Sequence, residues 1–336
     1  MMADRAPIRI GVLGAAKIVP AALTGPARSV PEVQVAAIAA RDPKRAQSFA
    51  RRHGIPRVHA TYAELIADPE LDAIYNPLPN SLHCEWTVRA LRAGKHVLCE
   101  KPFASNAAEA EQMAQAASET GLVLSEAFAY RYHPMALRMR EALAEGEIGT
   151  VRHIEAQFCF MLPSPNNIRF KYELAGGSLM DNGCYPVSMI RFLAGAEPSV
   201  VSARARLFRP QVDRGMSADL AFADGRSAHL ECDMLSPALF RSFVKVTGDG
   251  GSLTALIPFH PHWFNWLTVR GVHGTRSGPV RGGNTYALQL RAFARAIRDG
   301  ERLSTDPRDA IGNMRVIDAI YEKAGLQRRG MPVSQP

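Results

Sequence analysis

Apolar positions in the first third of the chain come in short unbroken runs: Ile8–Leu13, Val33–Ala39, Leu71–Tyr75, His96–Cys99 and Leu122–Ser125. Between them apolar residues recur at helical spacing, over Pro43–His53, Leu82–Ala93 and Ala107–Thr120. Unbroken apolar runs predict strands buried on both faces. Their alternation with helices predicts a parallel sheet with right-handed crossovers.

After about residue 126 the rhythm changes. The spacing predicts a helix over Pro134–Glu145, a strand over Val151–Phe160, a loop holding Pro163 and Pro165, and a helix from near Ser178 to about Leu193. Val200 to Val269 reads as longer strands separated by turns such as Ala223-Asp224-Gly225 and Gly248-Asp249-Gly250-Gly251, which predicts a mostly antiparallel sheet. Gly271–Gly283 reads as a Gly/Arg-rich connection, and two closing helices follow at about Thr285–Arg298 and Pro307–Ala324. The expected fold class is therefore α/β. A doubly wound parallel sheet over residues 1–126 is followed by an α+β domain with a large open sheet over 127–336, whose closing helices return to the first domain.

Composition narrows the functions open to the chain. Its 336 residues suffice for two cores. The net charge of +8 is carried by scattered arginines with no basic block, which argues against nucleic acid and suits an anionic small ligand. Five widely spaced cysteines contain no Cys-x-x-Cys pair, so neither a disulfide framework nor a metal site is expected. No run reaches membrane-spanning length and Met1–Pro7 has no signal-peptide core, so a cytoplasmic location is expected.

Candidate chemistry gathers at strand ends. Glu100-Lys101-Pro102 follows the run His96–Cys99, at the carboxyl end where open α/β sheets bind ligands. A lysine there can hold its charge beside a reacting oxygen. The first strand, with Gly11, runs into Gly14-Ala15-Ala16-Lys17-Ile18, a small-residue turn of the kind that admits a pyrophosphate. The second strand ends before Arg41 instead of an acid. An arginine there suits a ribose 2′-phosphate and favours NADP, with NAD still open; alternatively Arg41 covers an adenine edge while Asp42 caps the next helix. The run Leu71–Tyr75 opens onto Asn76-Pro77-Leu78-Pro79-Asn80-Ser81-Leu82-His83, either a rim for the nicotinamide ribose or, at Asn80, a plain cap.

A second constellation is Gly176-Gly177-x-x-x-Asp181-x-x-x-Tyr185. Four residues apart, Asp181 and Tyr185 project from one helical face, and the glycine pair permits close backbone approach. With Lys101 they form a candidate proton-transfer set, since a nearby ammonium lowers a phenol's pKa. The alternative is an interface tyrosine tied to Asp181.

Taken together, Gly11-x-x-Gly14, Glu100-Lys101-Pro102 and Gly176-Gly177-x-x-x-Asp181-x-x-x-Tyr185 resemble the Gfo/Idh/MocA oxidoreductases over nearly the whole chain. Tyrosine where many members carry histidine, and Glu126–Pro134, resemble the branch of glucose–fructose oxidoreductase, dimeric dihydrodiol dehydrogenase and xylose dehydrogenase. The resemblance implies hydride exchange between a nicotinamide and a hydroxyl- or carbonyl-bearing carbon of a sugar, polyol or cyclic diol. It implies Tyr185 as general acid/base, Asp181 holding substrate, and Lys101 orienting the proton donor or touching the substrate oxygen. Cofactor contacts are expected from Gly11, Gly14 to Ile18, Arg41, Pro77, Leu78, Asn80, His83, Glu100, Lys101 and Arg131. Substrate contacts are expected from Arg131, Arg169, Asp181 and Tyr185; solvated arginines are the alternative for Arg131 and Arg169. The loop Cys159–Phe170 would supply pocket walls. A homodimer or homotetramer through the C-terminal sheet is also implied. Two other readings share the fold, an NAD-dependent glycoside-cleaving enzyme and a non-catalytic nicotinamide-binding regulator.

Overall fold

A computed structural model of the chain describes residues 6–332. The chain divides into two units. The first runs to Ala104 and adds Ala108–Ala129 and Asn284–Ala310; the second is Ser105–Ala107, Tyr130–Gly283 and the chain from Ile311 onward. The expected boundary after residue 126 falls three residues before the crossing at Ala129/Tyr130.

The first unit is a six-stranded parallel sheet of β1 (Ile8–Leu13), β2 (Val33–Ala39), β3 (Arg57–His59), β4 (Ala73–Asn76), β5 (His96–Cys99) and β6 (Leu124–Glu126), in the order β3-β2-β1-β4-β5-β6. Ile10, Val12, Ile38, Ile74 and Val97 are buried within it, as unbroken apolar strands require. The strand order reverses at β1, so the carboxyl ends of β1 and β4 flank the crevice where such sheets bind ligands. After β1 a π-helical turn, Pro20–Thr24, leads into the short α1 (Gly25–Ala27). The remaining helices are α2 (Pro43–His53), α3 (Tyr62–Ala67), α4 (His83–Arg92) and α5 (Ala107–Thr120). Asp42 caps α2, accepting from the Lys44 and Arg45 amides at 2.9 and 3.3 Å. The third run, expected over Leu71–Tyr75, pairs as a strand over Ala73–Asn76, and just outside it the Asp72 carboxylate accepts the Arg9 amide at 2.7 Å.

The second unit holds α6 (Pro134–Ala144), β7 (Val151–Met161) and α7 (Cys184–Ala194), which packs on β7 and β10. Its other strands are β8 (Ser199–Arg209), β9 (Val212–Ala221), β10 (Ser227–Asp233), β11 (Leu235–Gly248), β12 (Gly251–Leu256), β13 (Trp266–Gly271) and β14 (Gly274–Gly278). They form one sheet, β14-β13-β12-β11-β7-β10-β9-β8, antiparallel except for β10 on β7. The connection expected over Gly271–Gly283 thus contains an edge strand, paired from Leu267↔Gly278 to Gly271↔Gly274. On one face, register aligns Phe243, Leu256 and Trp266 across β11, β12 and β13. Leu256 and Trp266 are exposed there.

Two helices close the chain. α8 (Thr285–Asp299) belongs to the first unit, where Arg291 donates to the Ser29 carbonyl at 2.7 Å. α9 (Pro307–Lys323) passes into the second unit at Ile311. Among the described residues no helix is long and apolar enough to cross a membrane, and all five cysteines are free and buried.

Candidate active site

In the first unit the turn after β1 is built by one glycine. Gly14 has φ +86°, its amide donates to the Ala39 carbonyl at 2.7 Å, and a Cβ there would lie 3.1 Å from Leu78. Leu78 follows β4, so this contact bridges the carboxyl ends of the two strands that flank the crevice. Gly11 has a different use. It sits inside β1, where a Cβ would meet Leu71 at 2.6 Å and Ile74 at 3.1 Å, so its small size serves core packing. Ala15 is buried, Ala16 and Ile18 are half-buried, and Lys17 is exposed. Arg41 is exposed beyond β2. Arg45, one turn further along the helix, donates to the Ala15 carbonyl at 2.7 Å. Burial raises the pKa of the Tyr62 phenol, and the charges of Arg41 and Arg45 oppose the rise. A tight turn with open backbone, an apolar lid residue and two arginines has the chemistry of a dinucleotide cradle.

The loop after β4 is held from beneath. Asn76 is fully buried; its Oδ1 accepts from the Leu78 amide at 3.3 Å, and its Nδ2 donates to the His83 carbonyl and Thr87 Oγ1. Pro77 is buried, and Asn80 heads a 3₁₀ turn, Asn80–Leu82, that precedes α4. The His83 ring is fully buried between the Leu78 carbonyl at 2.8 Å and the Pro102 carbonyl at 2.9 Å. Burial holds its pKa below the ordinary value, so the neutral ring donates to one carbonyl and rests against the other. His83 therefore staples the rim to the Lys101-Pro102 turn, and both its ring nitrogens face backbone.

Lys101 is half-buried and leads into a cis peptide at Pro102. Its amide donates to Glu100 Oε2 at 3.3 Å, while Glu100 Oε1 accepts from the Tyr75 hydroxyl at 2.6 Å. Burial, then the Glu100 charge, raises the pKa of both Tyr75 and Tyr286, which keeps these phenols protonated as donors. The Phe103 amide donates to the fully buried Glu126 at 2.9 Å and fixes the far side of the turn.

The second unit carries the other constellation. The predicted helix does begin after Ser178, but as a π-helical turn, Leu179–Gly183, that continues into α7. Asp181 and Tyr185 straddle this junction. Arg169 Nε lies 2.7 Å from Asp181 Oδ2, so these two residues are brought together. Tyr185 sits half-buried among aromatic rings, with centroids 5.5 Å from Phe158, 5.6 Å from Phe259, 5.8 Å from His260 and 6.1 Å from Tyr130. Phe170, expected on a pocket wall, is instead buried with Val212 and Met234, where it anchors its loop. Arg131 is 5% exposed, with its guanidinium over Phe192 at 4.1 Å and Nη1 3.4 Å from Ser188 Oγ, so it is engaged within its own unit. His133 caps α6, its Nδ1 accepting from the Met135 amide at 3.1 Å. No group of three potential metal ligands occurs among the described residues.

Sequence reasoning missed Arg45, Asn76, Glu126 and Tyr75. Arg45 had a usable signal, since it lies in the first turn of a predicted helix that starts just after Arg41. Tyr75 and Glu126 depend on partners beyond a neighbouring strand, and Asn76 on the fold of the loop and helix that follow it, none of which one strand's pattern encodes.

Comparison with known proteins bears on both units. Residues 8–128 match the oxidoreductase family with NAD-binding Rossmann fold, and residues 136–254 match the GFO/IDH/MocA C-terminal domain. The chain is 37% identical over 317 residues to a D-xylose 1-dehydrogenase (NADP(+)) of Haloferax volcanii, covering 94% of this chain and 96% of that protein. It superposes with a TM-score of 0.88, at 31% identity and over 97% of this chain and 100% of the other, on a 3-ketoreductase from Actinomadura kijaniata in complex with NADP and TDP-benzene. That reductase has also been solved with a lysine replaced by alanine or glutamate, and with a tyrosine replaced by phenylalanine. An aldose-aldose oxidoreductase from Caulobacter crescentus, complexed with glycerol, matches with a TM-score of 0.87 at 26% identity, over 95% of this chain and 98% of that one.

Proposed function

The chain belongs to the Gfo/Idh/MocA oxidoreductase family, and we infer that it is an NADP-dependent enzyme exchanging hydride with a hydroxyl- or carbonyl-bearing carbon of a sugar, polyol or cyclic diol. The NADP dependence of the xylose dehydrogenase and the NADP bound to the ketoreductase support this cofactor. When bound, NADP(H) supplies or accepts the hydride. The turn Gly14 to Ile18 would hold its pyrophosphate, Leu78 would line the nicotinamide side, and Arg41 would meet the 2′-phosphate.

The observation that carries the reading is the segment presenting Asp181, paired with Arg169, and Tyr185 within an aromatic ring set. In this reading Tyr185 Oη gives or takes the substrate hydroxyl proton, and the rings around it exclude water. Asp181 and Arg169 orient the substrate's other hydroxyls, as acceptor and donor. Lys101, at the carboxyl end of β5 in the first unit, would offer its ammonium to negative charge on the substrate oxygen. The lysine and tyrosine variants solved for the ketoreductase fit an interest in the same two residue types. The exposed Phe240, Leu256 and Trp266 support a homo-oligomer formed through this sheet. Five free, buried cysteines suit a reducing, cytoplasmic setting.

The test is a spectrophotometric NADP+/NADPH panel over aldoses, ketoses, inositols and cyclic diols, run with wild type and Tyr185→Phe. Wild type turns over at least one class, and Tyr185→Phe loses about 10²- to 10⁴-fold in kcat while still quenching NADPH fluorescence. No turnover across the panel, or full kcat in the variant, would sink the reading.

A further inference from the structure

Arg329 is fully buried close to the chain's end, and so is its partner Asp213 on β9. The guanidinium is held on three sides. Nη2 donates to Asp213 Oδ1 at 2.8 Å, Nε to the Gly176 carbonyl at 2.7 Å, and Nη1 to the Gln327 carbonyl at 3.0 Å. Its plane lies against Tyr321, 4.0 Å from the ring centroid, and the Tyr321 hydroxyl donates to Asp213 Oδ1 at 3.0 Å. Asp213 Oδ2 in turn accepts the Leu179 amide at 2.7 Å, two residues before Asp181. The arginine and aspartate thus grip both ends of the Gly176–Leu179 turn.

Gly177 is explained by the same contacts. A Cβ at Gly177 would lie 2.2 Å from Asp213 Oδ1, 2.7 Å from the Tyr321 hydroxyl and 3.0 Å from Arg329 Nη2. The close backbone approach seen in the sequence is therefore an approach of the protein's own buried ion pair. A Cβ at Gly176 would meet the Arg169 carbonyl at 2.5 Å, so the turn also touches the residue that pairs with Asp181.

We propose that Arg329 is a positioning residue: through Asp213 and the Gly176 carbonyl it sets the place of the π-helical turn, and so of Asp181 against Arg169. A buried ion pair is a weak source of net stability but a strong fixer of geometry once every donor is matched. The inference rests on the oxidoreductase reading for its effect on turnover, but not for its effect on the turn.

The test uses the full-length chain with Arg329→Lys, which keeps the charge and loses the forked geometry. Hydrogen exchange by mass spectrometry is expected to quicken in peptides covering 176–183 and to stay unchanged in the strands of the same unit. Melting temperature is expected to fall, because the buried Gly176 and Gln327 carbonyls lose donors, and kcat, read well below it, to fall about tenfold or more with NADPH affinity unchanged. In an Asp181→Asn background the Arg329→Lys loss in kcat is expected to vanish, because both changes act through one carboxylate. Unchanged exchange at 176–183, exchange raised evenly across the unit, or fully additive losses would overturn the proposal. Should Arg329→Lys fail to fold, Tyr321→Phe removes only the hydroxyl on Asp213 and is read by the same exchange pattern. If wild type turns nothing over, the oxidoreductase reading falls and the exchange pattern alone decides the role of Arg329.

Discussion

Arg169 and Asp181 are joined twice, once by side chains and once through the turn between them. Arg169 Nε lies 2.7 Å from Asp181 Oδ2, and the Arg169 carbonyl accepts the Gly177 amide at 2.8 Å, one turn before Asp181. Asn167 adds to this by accepting from the Arg169 amide at 3.1 Å. The arginine thus orders a loop and presents a carboxylate, and it is itself 41% exposed.

That exposure separates stability from function. An ion pair with one partner so open to water contributes about 1 kcal/mol or less to folding. We therefore expect Arg169→Met to shift the urea midpoint only slightly while lowering kcat/KM at least about tenfold, mainly through KM, because a substrate-orienting donor is lost. Parallel urea titrations and steady-state assays check this. Equal losses in stability and in kcat/KM would reduce Arg169 to a structural role.

Arg41 and Arg45 are expected to part company in cofactor selection. Arg45 holds the Ala15 carbonyl, which any dinucleotide needs, whereas Arg41 is exposed beyond β2, where only a 2′-phosphate adds charge. Hydrogen bonds to a charged group are worth about 1.5–3 kcal/mol, so Arg41→Ala should weaken NADP about 10- to 100-fold and leave NAD unmoved. Arg45→Ala should weaken both cofactors together. Fluorescence titration of each variant with NADPH and NADH gives the comparison.

The contrast between legible and hidden features follows from where the determinants lie. The parallel strands β1, β2 and β5 were legible to the residue because burial on both faces makes their runs unbroken. β3 and α3 were not, since Arg-Val-His is short and half polar and Tyr62–Ala67 is under two helical turns. β14 was hidden because an exposed edge strand shows no apolar alternation. Lys101, Asp181 and Tyr185 could be picked out because strand ends and short motifs mark them. Asp213, Tyr321 and Arg329 could not, because their partners lie far away along the chain, and only the folded sheet brings them to Gly177.

His133 makes folding sensitive to acid. Burial, with a contribution from His262, pushes its pKa down to about 4, below the unfolded value near 6.5. Between these values the unfolded chain binds a proton that the folded chain refuses, so stability is complete above about pH 6.5 and falls as pH drops towards 4. Lowering pH from about 7 to about 5 should cost about 2 kcal/mol through this one ring. Asparagine can replace the cap on the Met135 amide without titrating. His133→Asn should therefore flatten that part of the pH dependence in urea unfolding. A variant curve parallel to wild type would assign the acid sensitivity to other groups.

Glycine at 177 should be far less replaceable than glycine in an ordinary turn. Gly177 has φ +139°, which side-chain-bearing residues rarely adopt, and a Cβ there would lie 2.2 Å from Asp213 Oδ1. That oxygen has little room to retreat, because it accepts from both Tyr321 and Arg329 in a fully buried site. Gly225 offers the control, with φ +85° and nothing within 4 Å of the added carbon. Gly225→Ala bears only the conformational cost, about 1–2 kcal/mol, whereas Gly177→Ala adds overpacking against a buried ion pair and should lose at least about 3 kcal/mol. Urea unfolding of both variants decides the matter. Equal losses would mean that Asp213 yields to the new methyl group, and the glycine would then be required by its backbone angle alone.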